Sequence, residues 1–122
     1  MYKRQVFISG SQQVKVLKTD HKGPTKQGVV AAESSDLEFK FIEVGKWQAY
    51  ELGVGFANAT DSKVKWSRFE NLDVAIWSAY QTQGIEVKRS RFEDNTCDIK
   101  VTDGALDPDL DDNNPHELIA CP

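Results

Sequence analysis

The sequence lacks most of the residues and patterns that carry familiar chemistry. It has only two histidines and two cysteines, and their spacing matches no zinc motif. It contains no phosphate-binding loop and no nucleophile elbow. No apolar run approaches the roughly 18 residues that a membrane-spanning helix needs. These absences exclude the commonest zinc, nucleotide and hydrolase sites, and they predict no membrane span.

The N-terminal segment, MYKRQVFISG, starts with basic residues, but its apolar run is too short for a signal peptide. We therefore expect a cytoplasmic protein, a component of a larger assembly such as a virion, or the mature form of a secreted protein. Hydrophobic residues make up 39% of the chain and charged residues 28%. With six Phe, three Tyr and three Trp, this composition argues against disorder.

Charge is distributed unevenly along the chain. Residues 103–122 contain six acidic residues and no lysine or arginine. Because the net charge of the whole chain is −4, residues 1–102 carry +2. We therefore predict a single domain over residues 1–102, followed by an acidic tail over residues 103–122.

A short phrase occurs twice, as SRFEN at Ser67–Asn71 and as SRFED at Ser90–Asp94. A valine stands five positions before the phenylalanine in both copies. Downstream, DVAIW at Asp73–Trp77 corresponds to DIKVT at Asp98–Thr102. Each copy therefore predicts a strand, a short turn and a second strand, with apolar residues alternating with charged ones. A period in the twenties is typical of a solenoid.

Weaker copies extend the repeat toward the N-terminus. In LEFKFIEV, Leu37 and Ile42 have the same spacing as the valine and phenylalanine of the phrase, which aligns Ile42 with Phe69. Three further segments supply the remaining strands: VFISGSQQVKVL at Val6–Leu17, GVVAA at Gly28–Ala32 and ELGVGF at Glu51–Phe56. The pattern predicts about four coils. Because the interval from Ile42 to Phe69 exceeds the interval from Phe69 to Phe92, it also predicts a longer loop at Phe56–Ser62.

The segments ISGSQQVKV, KVKWSRFENLDVAIW and GIEVKRSRFEDN resemble coils of right-handed parallel β-helix proteins of the pectate-lyase type. The resemblance covers Val6–Thr102 and is strongest over residues 62–102. It implies an all-β fold, a short right-handed parallel β-helix. Trp66 aligns with Arg89 in the repeat, so this position cannot be deeply internal in both coils.

Two other folds compete with the solenoid. An antiparallel β-sandwich is supported by ELGVGFANATDSKVKW, which reads as a hairpin around Asn58–Asp61. An α+β fold would place a helix at residues 67–83, because Ser67 and Glu70 form a capping box. Against this helix, the second copy of the phrase is followed by NTCDIKV, which cannot continue a helix of the same kind.

If the coils stack, basic side chains form a stripe on the outer surface, with a tryptophan beside it. The candidate binding residues are Lys65, Trp66, Arg68, Lys88 and Arg91. Stacked like charges are unfavourable, and diagonal Arg–Glu pairs across coils would relieve them. The stripe is interpreted either as a salt-bridged outer face or as a site for an anionic polysaccharide. The small net charge disfavours nucleic acid as a partner.

The acidic tail carries the only metal pattern. Asp107, Asp109 and Asp111 alternate like the first three ligands of a calcium loop. Asp112 stands where such loops have glycine, and Glu117 comes one position early for the last ligand. Calcium is therefore the one cofactor considered, and the alternative is a plain acidic tail that caps the solenoid or binds a basic partner.

Cys97 and Cys121 would form a disulfide in an oxidising compartment and stay free thiols elsewhere. A bridge closing a loop of this length stabilises a fold by roughly 3 kcal/mol in the chain-entropy model.

We predict a non-enzymatic structural or binding module that presents a solenoid surface, such as a phage, virion or cell-surface assembly component. Its expected partner is a second copy or another protein. One alternative is a carbohydrate-active enzyme, a polysaccharide lyase or hydrolase or a fragment of one, using Glu70, Glu93, Asp73 and Asp98. The catalytic signatures implied by the family resemblance are absent. The other alternative is a small acidic binder or inhibitor from a mobile element.

Overall fold

The computed structural model describes residues 6–9, 15–17, 20–21, 27–44, 50–114 and 118–121. Every regular element in these ranges is a β-strand. In chain order the strands are β1 (Val6–Ser9), β2 (Lys15–Leu17), β3 (Asp20–His21), β4 (Gln27–Ala32), β5 (Glu38–Lys40), β6 (Glu43–Val44), β7 (Tyr50–Ala57), β8 (Lys63–Lys65), β9 (Arg68–Glu70), β10 (Leu72–Ala79), β11 (Glu86–Lys88), β12 (Arg91–Glu93), β13 (Cys97–Val101) and β14 (Asp109–Asp111).

The strands form three parallel sheets, and each sheet takes every third strand. Sheet one has the order β1-β4-β7-β10-β13, sheet two β14-β11-β8-β5-β2, and sheet three β12-β9-β6-β3. The strands thus recur in threes, and β13 and β14 begin a further round. Neighbouring strands of a sheet are parallel and are separated by nearly constant lengths of chain, so that Val54 pairs with Ile76 and Val64 with Val87. This topology is a β-solenoid and confirms the prediction of a short parallel β-helix.

Both competing folds are wrong. The proposed helix at residues 67–83 is instead β9 and β10, which pair with neighbouring coils. The proposed hairpin around Asn58–Asp61 does not form, because β7 belongs to sheet one and β8 to sheet two. Charged residues at alternate positions of β8, β9, β11 and β12 leave one apolar residue in the middle of each strand. Such strands bury one face, whereas a helix would have scattered the same residues around its axis.

The central repeat has the predicted register, and two flanking predictions are wrong. Phe69 pairs with Phe92, and Val64 with Val87. Val44, not Ile42, is in register with Phe69, so that coil is shorter by two positions than predicted. On β13, Ile99 is in register with Ile76, which moves the predicted alignment of Asp73–Trp77 with Asp98–Thr102 by two positions.

The predicted longer loop at Phe56–Ser62 is also wrong. Val54 comes ten positions after Val44. Their partners in the next coil are Ile76 and Phe69, which are only seven positions apart. The additional length therefore lies before β7. Segment Phe56–Ser62 makes an ordinary corner between sheets one and two.

The core is made of apolar columns that run along the solenoid axis. Phe39, Val64 and Val87 form one column, and each of the three side chains is fully buried. Phe69 and Phe92 stack in the next, with ring centroids 5.2 Å apart. Because each strand is short, the buried surface comes almost entirely from contacts between successive coils.

At the corner between sheets two and three, buried polar side chains on the inner side accept hydrogen bonds from the neighbouring coil. The backbone N–H of Ile42 donates to Ser67 Oγ at 3.3 Å, and the N–H of Ser67 donates to Ser90 Oγ at 3.2 Å. The N–H of Ser90 then donates to Asn113 Oδ1 at 3.0 Å. These three hydrogen bonds satisfy backbone N–H groups that have no partner in a sheet because the chain turns there. A buried N–H group without an acceptor would destabilise the fold.

Residues at the outer corners adopt left-handed backbone conformations. One such corner runs through Phe41, Trp66, Arg89 and Asp112, with φ between 49° and 57°. Bulky side chains rarely adopt this conformation, so its repetition shows that the sheets on both sides of the corner impose it.

Part of the acidic segment continues the solenoid. Asp109–Asp111, as β14, pairs in parallel with β11. Ala120 forms a parallel bridge with Ile99 of β13, and Asn114 forms one with Arg91 of β12. The last described segments therefore pair with all three sheets.

Candidate functional site

The basic stripe lies on sheets two and three. Lys65 and Lys88 are in register on β8 and β11, and Arg68 and Arg91 are in register on β9 and β12. This stacking was expected from the repeat and is confirmed. Trp66 lies at the corner between the two sheets and is 41% exposed.

Carboxylates pair with both arginines of the stripe. Arg68 Nε lies 2.7 Å from Glu70 Oε1 on its own strand, and Arg68 Nη2 lies 3.3 Å from Glu93 Oε1 in the next coil. Arg91 Nε lies 2.9 Å from the same oxygen of Glu93. The expected diagonal pairing is therefore confirmed, and it offsets the repulsion between the stacked arginines.

Sheet two shows the same compensation. Lys88 Nζ lies 3.0 Å from Glu86 Oε1. This contact lowers the pKa of Glu86 and raises the pKa of Lys88, which Asp109 and Asp111 raise further. In the described parts of β5, β6, β8, β9, β11, β12 and β14, six cations face seven carboxylates. This near balance favours an internally paired face over a surface for a polyanion.

Trp66 is part of a stacked corner. Its ring is stacked on Phe41 with centroids 5.6 Å apart and an interplanar angle of 9°. The guanidinium of Arg89 lies 5.7 Å from the Trp66 centroid, and Lys40 Nζ lies 5.6 Å from it. A flat ligand would have to displace these neighbours in order to stack on the indole, which limits Trp66 as a binding platform.

Two of the predicted calcium ligands lie on one strand, and the third lies just before it. Asp109 and Asp111 occupy outward positions of β14 beside Glu86 and Lys88, and Asp107 precedes the strand. Glu117 lies outside the described residues. Among the described residues, no three His, Cys, Asp or Glu side chains are grouped closely enough to hold a metal ion.

The four carboxylates of the enzyme alternative have different surroundings. Asp73 is exposed, whereas Asp98 is 3% exposed. Asp98 accepts hydrogen bonds from the backbone N–H of Ile119 at 2.8 Å and from Asn95 Nδ2 at 3.1 Å. Asp98 therefore fastens the last segment to β13, while Glu70 and Glu93 are engaged by the arginines. Glu70 and Glu93 are thus adjacent and share Arg68, whereas Asp98 is bonded to the last segment.

A disulfide joins Cys97 to Cys121, with Cα atoms 5.1 Å apart. It fixes the segment 118–121 beside β13, where Cys121 N–H also donates to the carbonyl of Ile99 at 2.8 Å. The last round is thus held by a covalent bond, by Asp98 and by backbone hydrogen bonds.

The last round leaves the end of the core open. Leu110 of β14 is in register with Val87 and therefore continues the column of Phe39, Val64 and Val87. Those three residues are fully buried, whereas Leu110 is 41% exposed. Two more large apolar side chains of this round are exposed, Leu106 and Ile119. The acidic composition hid this surface from sequence reasoning, although Leu110 is the apolar residue that matches Val87 one repeat later.

An apolar groove lies on the outer side of sheet one. It has a volume of about 200 Å³, and Val30, Gly55, Trp77 and Tyr80 are among the residues that line it. Gly55 lies between Val30 and Trp77 in the ladder, and a Cβ there would come 2.9 Å from Leu52 Cδ2. The missing side chain leaves the space beside Trp77 open.

Trp77 is held at this groove by its neighbours. Its Nε1–H donates to Thr102 Oγ1 at 2.8 Å, and Lys100 Nζ lies 4.3 Å from its ring centroid. Sequence reasoning assigned Trp77 to a strand without a binding role. Gly55, which is in register with Trp77, was the sequence feature that could have indicated the groove.

Comparison with models of known protein families, with curated proteins and with solved structures finds no match in any of the three. The class of protein is therefore defined by the strand topology, which is that of a β-solenoid. Within the described residues, no helix has the length and apolar character needed to cross a membrane.

Proposed function

We propose that this chain is a non-enzymatic structural or binding module that works by associating with another protein surface through the open end of its solenoid. The observation that carries the proposal is the exposure of Leu110. A residue in a core column is expected to be buried, and Leu110 is 41% exposed where its three predecessors are fully buried. Together with Leu106 and Ile119, it gives this end an apolar surface of the kind that marks interaction sites.

The free edge of β14 supports the same function. Its outer side has no strand of the described chain paired with it, because β14 is the terminal strand of sheet two. Edge strands with unpaired backbone groups readily accept another strand. An apolar side chain flanked by an open edge therefore provides both burial and backbone hydrogen bonds to a partner.

The test compares the size of the protein in solution for two variants. Light scattering at micromolar concentration should report a trimer or a larger species for the unmodified protein. Leu110→Lys should reduce association, because it places a charge at the centre of the contact. Asn58→Lys, at an exposed residue on an outer corner of a central coil, is the control and should leave the size unchanged. Retention of the full oligomer by Leu110→Lys would refute this function.

The Trp77 groove favours a second candidate, recognition of an anionic polysaccharide. Its volume of about 200 Å³ suits a single pyranose ring, which would stack on the indole face beside Gly55. Lys100 lies over the other side of the ring, outside the lining of the groove, and its positive charge would favour an acidic sugar through its field. Titration with oligouronides should quench tryptophan fluorescence. Trp77→Ala should abolish the binding and Trp66→Ala should not; equal loss in both variants would contradict this site.

A further inference from the structure

The two edges of sheet two are chemically different. One edge is β14, with Asp109 and Asp111 on either side of Leu110, and the other is β2, Lys15–Leu17. All strands of the sheet are parallel. A second copy placed along the same axis would therefore bring its β2 to the free edge of β14 in the direction that the sheet already uses.

The charge pattern along the sheet favours this continuation. One line of residues in register runs Lys15, Glu38, Lys63, Glu86 and Asp109. Its signs alternate up to Glu86, and the two carboxylates at the end break the alternation. A positively charged residue in the next position of this line would restore the alternation of charge. In the continued register, that position is held by Lys15 of the second copy.

The apolar column gives the same register. Val16 is in register with Phe39, and the line then passes through Val64 and Val87 to Leu110. Val16 of the second copy would take the register position that follows Leu110. One alignment therefore places a lysine at the position after Asp109 and a valine at the position after Leu110. A slip by one position would turn every side chain to the wrong face.

We propose that copies of this chain stack head to tail, with β14 of one copy paired in parallel with β2 of the next; this partner choice rests on the proposed function of the open end. Two acidic edges repel each other, so the aspartates disfavour contact between two β14 strands and select the basic edge. The contact uses different surfaces on the two copies and does not close on itself, so the assembly grows as an open series.

The experiment is a charge exchange across the contact, measured by sedimentation velocity over a concentration series at low salt. Asp109→Lys alone and Lys15→Asp alone should each weaken association by about tenfold. The two changes combined in one chain should restore it. Asp107→Lys makes the same charge change outside β14 and should have little effect. Circular dichroism and melting of each variant show that the fold is kept.

Two results would overturn head-to-tail stacking. Equal or stronger association of Asp109→Lys would show that the aspartates protect the edge against pairing. Loss of association in Leu110→Lys without rescue in the charge exchange would show that the open end binds a different surface, so that the proposed function stands and this partner is wrong. An unmodified protein that stays monomeric at every concentration would overturn both.

Discussion

Replacing Phe69 by alanine should destabilise the solenoid more than any comparable change on its surface. Phe69 is fully buried, stacks on Phe92 at 5.2 Å, and is in register with Val44 on the other side. Its ring also fills the space above Gly53, where a Cβ would come 2.7 Å from Phe69 Cδ1. The substitution therefore opens a cavity between three coils, and the coils cannot close it without breaking the register of their sheets.

The expected loss in the free energy of unfolding is about 3–5 kcal/mol, the usual range for a buried phenylalanine whose site cannot collapse. Stacking on Phe92 contributes about 1 kcal/mol of this loss. For a domain of this size, such a loss corresponds to a decrease in Tm of roughly 10–20 °C.

The assay is urea denaturation followed by circular dichroism, with Phe41→Ala as the matched control. Phe41 is 52% exposed and stacks on Trp66, so the same substitution there should cost about 1 kcal/mol or less. A double-mutant cycle between Phe69 and Phe92 should give a coupling of about 1 kcal/mol. If Phe69→Ala costs no more than Phe41→Ala, the interior column is not what holds the coils together.

Three further predictions concern the bridge, the aspartates and one ion pair. Reduction of the Cys97–Cys121 disulfide, whose cysteines have a sequence separation of 24, should lower the stability by roughly 3 kcal/mol in urea denaturation; no change in the midpoint would mean that the last round does not contribute to the cooperative unit. Millimolar calcium should leave the Tm where magnesium leaves it, and a calcium-specific increase that disappears in Asp109→Asn would instead establish a metal site. Glu86→Gln should lower the Tm slightly at pH 7, since a lowered carboxyl pKa stabilises the fold above the ordinary value of 4.5 and the effect is lost as the pH falls through the folded-state pKa. A difference between the two proteins that persists at a pH well below the folded-state pKa of Glu86 would contradict this reasoning.

The repeated phrase was enough to predict the fold and the central register. SRFEN and SRFED align because the same apolar residue lies between the same charges, and the sheet requires both faces to match. Farther from these copies the pattern is ambiguous. Leu37 and Ile42 have the same spacing as Phe39 and Val44, and all four are buried. Hydrophobicity alone therefore could not separate two registers that differ by two positions.

The alignment of Asp73 with Asp98 failed for a different reason. Both residues are aspartates, but Asp73 is exposed and Asp98 is buried in β13. Asp98 is tolerated there because its oxygens accept hydrogen bonds from Asn95 and Ile119. Such a role depends on where the chain returns after residue 102, which no local pattern contains.

Leu110 was not assigned to the end of the core because the acidic residues around it indicated a solvated tail. The net charge of a segment does not show whether the segment pairs with another strand. A single leucine between two aspartates is sufficient to continue a core column. The groove at Trp77 was missed because it is produced by the absence of a side chain at Gly55.

The number of residues between paired strands is nearly constant along the chain. This spacing sets the order in which the coils can form during synthesis. Each strand needs only the strand that was synthesised one coil earlier. At the usual translation rates of about 5–20 residues per second, a new round becomes available every few seconds and can dock on the rounds before it. Cys121 is synthesised after Cys97 and can find it already placed in β13, so oxidation would lock rounds that have formed in sequence order.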